Sequence, residues 1–199
     1  MADYFVSFNY MMDDEDPKRS GEMISDPEPE SQLARARFGL NSAWHPDLVE
    51  AGFFTFNANC TPKIPNDEAL RLAAVAYRLP TRVGGKRVGG EWTEISGDLI
   101  RSQDVANKFL SIAVNSGAEN ATKIIQRAIN KVLFTLPGEL GLHVDGVCGS
   151  QTLEALNRCD PVALMPVIKD YGCQYMRDCA PKLGWSPREL AAHLNRVNR

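Results

Sequence analysis

One wide apolar stripe in the second half of the chain restricts the folds open to it. Between residues 121 and 132 the apolar side chains recur at helical spacing: Ala121, Ile124, Ile125, Ala128, Ile129 and Val132. A helix with a stripe this wide has to be buried against other helices, because it is too broad to be left in water. With 199 residues, of which 44% are hydrophobic, the chain is large enough to supply such a core. The sequence therefore predicts a mainly α protein.

A short helix is expected at the start of the chain. Phe5, Phe8 and Met12 give residues 4–15 an apolar stripe of helical period. Pro17 prevents the helix from continuing much beyond residue 16. This prediction places four consecutive acidic residues, 13–16, at the C-terminal end of a helix with an apolar face.

Capping residues predict the limits of the later helices. The signals are Asn66 as an N-cap, Gly117 as a C-terminal cap, Asp160 before Pro161, and the capping box from Ser186 to Glu189. We expect Pro166 to kink the helix that it enters. Residues 18–65 show little periodicity and predict irregular loops with a short hairpin, and the glycine-rich stretch 81–97 predicts a surface hairpin or loop.

Charge and hydropathy exclude two classes of partner. A formal net charge of −3 argues against a nucleic-acid partner, which selects a basic patch. No apolar stretch approaches the ~20 residues of a membrane span, so no integral membrane segment is expected. The first 16 residues lack the basic region, apolar run and cleavage site of a secretory signal. We therefore expect synthesis in the cytoplasm without a signal peptide.

The cysteines and histidines form no disulfide or metal pattern in the sequence. There are five cysteines, an odd number, and none of them has the CxxC spacing of a zinc site. His45, His143 and His193 are scattered and form no HExxH pair. We expect free thiols in a reducing compartment, and neither a metal nor a cofactor.

The most specific motif follows the striped helix. Gln126 precedes the segment GLHVDGVCGSQTLEALN, in which Asp145, Gly146, Gly149 and Thr152 form a DGxxGxxT pattern. The Asp-Gly pair suits a tight turn, and Gly149 lets the chain turn again before the next helix. From these residues alone, a loop that joins two helices is the favoured interpretation.

Together, Gln126, the DGxxGxxT pattern and the Ala-Leu that follows it resemble a predicted peptidoglycan-binding domain. Gly184-Trp185 and the LNRV sequence at 194–197 resemble the C-terminus of one such domain. That domain forms the second half of the glycoside hydrolase family 108 muramidases, which occur in phage endolysins and in secretion-associated cell-wall hydrolases. The resemblance covers nearly the whole chain and is closer from about residue 97 onward.

The first half resembles the catalytic lobe of this family more loosely. The family lobe opens with a helix carrying Glu-Gly-Gly, followed by a DPGGxT-like loop and a Tyr-Gly-Ile element. Here the corresponding elements are Glu15 at the helix end, Asp26-Pro27, and the FGL sequence at 38–40. Two departures concern the site itself, since Asp16 and Pro17 replace both glycines and the GGxT element has no counterpart.

The position of Glu15 on its helix also favours a catalytic role. Glu15 lies four residues after Met11 and three after Met12, and therefore extends the apolar stripe to the helix end. A glutamate at such a boundary is expected to be partly desolvated, which raises its pKa and keeps it protonated as a general acid. Asp13 and Asp14 point away from Phe8 and are interpreted as solvated.

Three alternatives remain for the acidic run. Taken alone, residues 13–16 suit a solvated polar helix end. A calcium-binding loop is disfavoured because DDEDPKRSGEMI breaks the EF-hand spacing and contains an interior proline. Sequence matching also leaves Asp13 or Asp14 as possible counterparts of the family glutamate. The resemblance favours Glu15.

The resemblance implies a lysozyme-like, mainly α catalytic lobe at 1–118, with a loop-rich or small β-hairpin segment, and a helical peptidoglycan-binding segment at 119–199 packed on it. The implied activity is hydrolysis of the β-1,4 bond between N-acetylmuramic acid and N-acetylglucosamine. The implied site consists of Glu15 as the catalytic acid and of the substrate-binding residues Asp26, Phe38, Trp92, Asp145, Gly146 and Thr152. Phe38 and Trp92 are candidate sugar-stacking rings, with a core role as the alternative for each.

Peptidoglycan is the partner that the resemblance implies. Action at the cell wall or periplasm without a signal peptide would require a phage holin or a dedicated secretion system. The rival interpretation is a non-catalytic peptidoglycan-binding or secretion-associated protein on a decayed hydrolase scaffold, which the altered Glu-Gly-Gly and GGxT elements motivate.

Overall fold

The computed structural model describes residues 1–25, 35–133 and 140–199. Contacts divide the chain into two compact units. The helical unit consists of Met1–Ser7 and Glu91–Arg199, and the mixed unit is Phe8–Gly90. The first helix begins in the helical unit and continues into the mixed unit.

The described residues are mainly helical, which confirms the predicted fold class. The α-helices are α1 Tyr4–Glu15, α2 Pro46–Glu50, α3 Asn66–Arg78, α4 Glu91–Glu94, α5 Gln103–Ser116, α6 Ala118–Leu133, α7 Ser150–Arg158, α8 Pro161–Leu183 and α9 Pro187–Asn198. A 3₁₀ turn, Gly97–Leu99, lies between α4 and α5.

The strands described are short and belong to the mixed unit. They are β1 Ile24–Ser25, β2 Arg35–Arg37, β3 Leu40–Asn41, β4 Thr81–Val83 and β5 Lys86–Val88. Strands β1, β2 and β3 form an antiparallel sheet in that order, with Ala36 opposite Asn41. Strands β4 and β5 form a separate antiparallel hairpin with Thr81 opposite Val88. The glycine-rich stretch is therefore a hairpin, as predicted.

Helix α6 is the centre of the helical unit. Its stripe residues Ile124, Ile125 and Ile129 are no more than 1% exposed, because α5 and α8 pack against the helix. Burial of such side chains contributes about 1.5–3 kcal/mol each to the free energy of unfolding. The apolar stripe thus has the role that the sequence predicted.

Three of the predicted helix limits are confirmed. Gly117 ends α5 with a φ of +80° and donates its N–H to Ala113 O at 2.8 Å. Asp160 accepts a hydrogen bond from Val162 N ahead of Pro161, and Ser186 forms the reciprocal capping box with Glu189. Helix α8 continues past Pro166 and Pro181 to Leu183.

Two local predictions are wrong. Asn66 is the first residue of α3 rather than its N-cap, which is Pro65. The Asn66 side chain instead forms hydrogen bonds to Arg37 and to the backbone of Ser20. Phe5 is 58% exposed and does not belong to the buried stripe of α1, whose members are Tyr4, Phe8, Met11 and Met12. A helix of this length allows two overlapping apolar stripes, and packing selects one of them.

The expected division into a catalytic lobe at 1–118 and a peptidoglycan-binding segment at 119–199 stays a prediction. Its boundary lies directly after Ala118, the first residue of α6, and α5 ends just before it at Ser116. These helices pack against each other within the helical unit. The mixed unit has its own core, in which Phe8 and Tyr77 lie 6.2 Å apart between ring centroids, and Phe53 and Phe54 lie 4.8 Å apart.

Candidate active site and the Gln126 loop

The acidic residues at the end of α1 have separate environments. Asp13 is exposed and pairs with Arg19, with Oδ1 and Nη2 2.7 Å apart. Arg19 also donates to Asn9 O at 3.0 Å and to Asp16 O at 2.9 Å. A cation that binds backbone carbonyls at a helix C-terminus offsets the unfavourable position of the acids there. Asp13 therefore belongs to a helix-end ion pair.

Asp16 organises the turn that follows the helix. Its carboxylate accepts hydrogen bonds from Ser20 N at 3.1 Å, from Ser20 Oγ at 3.2 Å and from Gly21 N at 2.8 Å. Asp16 thus closes the 16–21 turn with its own side chain. Its carboxylate is committed to backbone and hydroxyl donors.

Glu15 is the acid that faces the sheet. Its side chain is half-buried and lies against Gly39, in the turn between β2 and β3. A Cβ added to Gly39 would lie 3.1 Å from Glu15 Cγ and 3.2 Å from Glu15 Cβ. Gly39 itself is exposed. The Glu15 stem therefore packs against a residue that has no side chain and is exposed.

A buried side chain of α3 holds the backbone of the Phe38–Gly39 turn. Tyr77, on α3, donates its hydroxyl to Phe38 O at 3.2 Å and is 2% exposed. Both turn residues have positive φ, +52° for Phe38 and +75° for Gly39. A positive φ is unfavourable for a bulky residue such as phenylalanine, so packing has to maintain it.

Arg37 connects this turn to three other segments. Arg37 is 1% exposed, and its guanidinium donates to Gly21 O at 3.0 Å, Phe53 O at 3.1 Å, Ile64 O at 3.0 Å and Asn66 Oδ1 at 2.6 Å. Burial lowers the pKa of Arg37 from its ordinary value. The planar guanidinium has several fixed donors and suits this role better than a lysine would.

Asn66 completes the connection to the turn after Glu15. Its side-chain amide donates to Ser20 O, while its oxygen accepts from Arg37. Gly21 has a φ of +59°, and a Cβ there would lie 2.6 Å from Asn66 Oδ1. The turn that follows Glu15 is therefore fixed by Arg37 and Asn66, neither of which the sequence indicated as part of the site.

The two candidate stacking rings are buried. Phe38 is 2% exposed and Trp92 is 0% exposed, so neither ring offers a face to a sugar in this structure. Trp92 packs edge-on against Tyr4 at 5.4 Å and donates its indole N–H to Asp98 at 3.0 Å. A Cβ on Gly97 would overlap the indole at 2.3 Å. In this structure both rings therefore have the core role that was the alternative to sugar stacking.

The Gln126 side chain holds the DGxxGxxT loop to α6. Its Nε2 donates to Asp145 Oδ1 at 2.8 Å, to Val147 O at 3.2 Å and to Thr152 Oγ1 at 3.2 Å. Its Oε1 accepts from Gly146 N at 3.0 Å. The buried Gln126 amide therefore makes four hydrogen bonds to the loop, which explains the spacing of the motif.

The loop residues themselves fit a structural role. Gly146 has a φ of +83°, and a Cβ there would lie 2.6 Å from Glu119 Cγ and 2.9 Å from Glu119 O. Thr152 is buried and donates to Val147 O at 3.2 Å. Asp145 is exposed, and the hydrogen bond from Gln126 is the main cause that holds its pKa below the ordinary value, with the Val147 N–H second.

The remaining predicted site residue, Asp26, lies outside the described residues, and its role stays a prediction. Within the described ranges, no three side chains of the His, Cys, Asp and Glu types cluster as a metal site requires. In that same part of the chain, no helix has both the length and the apolar content to cross a membrane.

Neither a scan of protein-family models nor a search of curated proteins finds a match for this chain. Among solved structures the chain is similar to Brucella abortus SagA, with a TM-score of 0.54 and 16% sequence identity. The similarity covers 98% of this chain and 94% of the SagA chain. The two proteins therefore share a fold over nearly their whole length.

Proposed function

We propose that the chain is a peptidoglycan hydrolase of the N-acetylmuramidase type, with Glu15 as the general acid. The observation that carries the proposal is the placement of Glu15. It is a half-buried glutamate at the end of α1, and it lies against an exposed glycine in the turn of a small antiparallel sheet. The mainly α, lysozyme-like fold and the residues that resemble family 108 muramidases support the same activity.

The chemistry assigned to Glu15 is protonation of the leaving oxygen of the β-1,4 bond. Glycosidases of most families use a pair of carboxyl groups, one of which supplies this proton while the other stabilises the cation or activates water. Asp26 is our candidate for the second group. The packing of the Glu15 stem against Gly39, and the Arg37 and Asn66 hydrogen bonds to the turn that follows Glu15, limit the movement of this residue before substrate binds.

A second candidate function is non-catalytic binding of peptidoglycan. It is favoured by Asp16, which stands where the family motif has glycine and whose carboxylate closes the turn after Glu15. A scaffold that has lost its glycines in this way can keep a substrate surface without the chemistry. The two candidates differ in one observable, which is release of soluble fragments from the wall.

Purified sacculi are the substrate for the test. We expect the full chain to release muropeptides that carry N-acetylmuramic acid at the new reducing end, detected by mass spectrometry, and to clear sacculi in a zymogram. Glu15→Gln, which keeps size and polarity but lacks the transferable proton, should reduce the rate of release at least ~10²-fold. Binding of the wild-type chain to sacculi without release of any fragment would reject the hydrolase and favour the binder.

Delivery to the wall by a holin or a dedicated secretion system is part of the proposal. Expression of the chain with and without a candidate holin, followed by a lysis assay, tests it.

A further inference from the structure

Trp44 is a large aromatic side chain that the mixed unit leaves in solvent. It is 63% exposed, whereas the rings of Phe38, Phe53 and Tyr77 in the same unit are no more than 2% exposed. Tryptophan is enriched at binding interfaces, because its body is apolar and its N–H is polar.

The backbone that carries Trp44 is fixed. Trp44 N donates to Asn41 O at 3.1 Å, and His45 N donates to the same oxygen at 3.2 Å. The Asn41 side chain accepts from Ala43 N at 2.7 Å. His45 is buried immediately before α2. Because both flanks are held, a ligand that stacks on the indole would not have to order the chain first.

Arg35 and Phe56 form an exposed pair, and Arg35 is hydrogen-bonded to Ser42 directly after β3. Arg35 N donates to Ser42 Oγ at 2.9 Å, and Ser42 N donates to Arg35 O at 2.8 Å. The Arg35 guanidinium lies 5.1 Å from the centroid of the Phe56 ring, which is 40% exposed, and donates to Phe54 O at 2.9 Å. Ser42 is two residues before Trp44. We refer to Trp44, Arg35 and Phe56 as the Trp44 surface.

Strand β3 links the Trp44 surface to Glu15. Gly39, which contacts the Glu15 stem, directly precedes β3, and Trp44 comes three residues after its end. Five residues of extended chain span at most about 18 Å, so the Trp44 backbone lies within that distance of Gly39. A chain of a few sugar rings can cover this separation.

We propose that the Trp44 surface is a subsite for the glycan strand of peptidoglycan, with the indole of Trp44 stacked on the apolar face of a pyranose ring. Arg35 supplies a guanidinium for carboxylates, which the acidic stem peptides of peptidoglycan carry and a neutral glycan such as chitin lacks. This inference rests on the proposed function for its substrate class. It concerns binding, and it holds for the hydrolase and for the non-catalytic binder alike.

The test measures binding in the Glu15→Gln background, so that hydrolysis does not interfere. Purified sacculi and soluble muropeptides are the probes, followed by co-sedimentation and by the change in tryptophan fluorescence. We expect Trp44→Ala to weaken binding about fivefold or more, as truncation of a central aromatic contact does. Trp44→Phe should lose less, and muropeptides should bind more tightly than chitin oligosaccharides.

Phe5→Ala is the matched control. Phe5 is 58% exposed on α1 in the helical unit, and its truncation should leave the affinity unchanged. Because both side chains are exposed, both variants should keep the urea midpoint of the parent within experimental error. Equal affinities of Trp44→Ala and the parent for sacculi would overturn the proposal, and so would the failure of the parent to bind sacculi at all.

The outcomes also separate this inference from the proposed function. Loss of sacculus binding in Trp44→Ala, together with a wild-type chain that releases no muropeptides, would support the subsite and reject the hydrolase. An active wild-type chain whose KM is the same in Trp44→Ala would keep the hydrolase and reject the subsite. If both hold, Trp44→Ala should raise KM with little change in kcat, because stacking at a distance from the cleaved bond contributes to binding.

Discussion

Gly39 lies against Glu15 so closely that a side chain on it would meet the stem of the candidate acid. An added Cβ would be 3.1 Å from Glu15 Cγ and 2.7 Å from the Tyr77 hydroxyl. We predict that Gly39→Ala loses about 1–3 kcal/mol of unfolding free energy, since the φ of +75° is unfavourable for alanine. It should also lower the rate of muropeptide release, because Glu15 has to move. Urea unfolding and the sacculus assay measure the two effects.

Gly84→Ala is the control for that variant. Gly84 has a φ of +56° in the β4–β5 hairpin of the same unit, but an added Cβ would have no neighbour within 4 Å. The backbone cost should therefore be similar and the activity unchanged. A Gly39→Ala protein as active as Gly84→Ala would mean that the Gly39 contact does not position Glu15.

Arg37 provides a prediction about stability. Its guanidinium donates to four oxygens from three segments, and Arg37→Met would leave those acceptors inside the mixed unit without this donor. We expect a loss of about 3–5 kcal/mol in unfolding free energy, the range for breaking a buried charged network. Arg82→Met, at an exposed position on β4, should change it by less than about 0.5 kcal/mol. Similar urea midpoints for the two variants would contradict the assigned role.

The Gln126 loop predicts a pH effect with a definite sign. The hydrogen bonds that Asp145 accepts hold its pKa below the ordinary value in the folded protein. A carboxyl with a lowered folded pKa stabilises the fold above its unfolded pKa, and this contribution is lost as the pH falls from about 4 through the folded pKa. Asp145→Asn keeps the acceptor oxygen for Gln126 and removes the charge.

Thermal unfolding between pH 3 and pH 7 tests this effect. Asp145→Asn should have a lower Tm than the wild type at neutral pH, and the difference should shrink below about pH 4. Asp170→Asn, at an exposed position on α8, controls for the change in net charge. A Tm difference between Asp145→Asn and the wild type that stays constant across this range would contradict the prediction that the loop stabilises the ionised form of Asp145.

The cysteines give a chemical prediction. All five are free in the structure, so all five should react with a thiol reagent in the denatured chain without prior reduction. In the folded protein Cys60 is exposed, whereas burial raises the pKa of the Cys148 thiol to about 12. Only the thiolate reacts, so at pH 8 Cys60 should react first and Cys148 very slowly. Cys60→Ser should remove the fast phase, and a fast phase that survives this substitution would contradict the assignment.

Features set by neighbouring residues in the chain could be predicted from sequence. The capping box of Ser186 and Glu189, the cap at Asp160 and the left-handed end at Gly117 each depend on a few adjacent positions. The stripe of α6 was also predictable, because a period of 3.6 residues is a property of one helix. These local features were sufficient to predict the fold class.

Features set by distant contacts could not be predicted in the same way. Nothing in the neighbourhood of Arg37 marks it as buried, since its four acceptors come from residues 21, 53, 64 and 66. Trp44 and Trp92 look alike in sequence, and only the packing of Tyr4 and Gly97 makes Trp92 a core residue. The sequence therefore identified aromatic candidates without separating buried rings from exposed ones.

The last prediction concerns the acidic run of α1 and decides which acid is catalytic. Glu15→Gln should reduce muropeptide release at least ~10²-fold, because the general acid is lost. Asp13→Asn should retain most of the activity, since Asp13 pairs with Arg19 in an exposed bridge worth no more than about 1 kcal/mol of stability. Asp14→Asn completes the series at the half-buried position next to Glu15.

All three variants keep the shape of the side chain that they replace, so differences in activity report on charge and on proton transfer. Urea unfolding should confirm that each remains folded. An active Glu15→Gln with an inactive Asp13→Asn or Asp14→Asn would move the catalytic assignment to that aspartate. If the wild type releases muropeptides and none of the three substitutions slows it, the proton does not come from the end of α1, and the mechanism based on the contact between Glu15 and Gly39 is rejected.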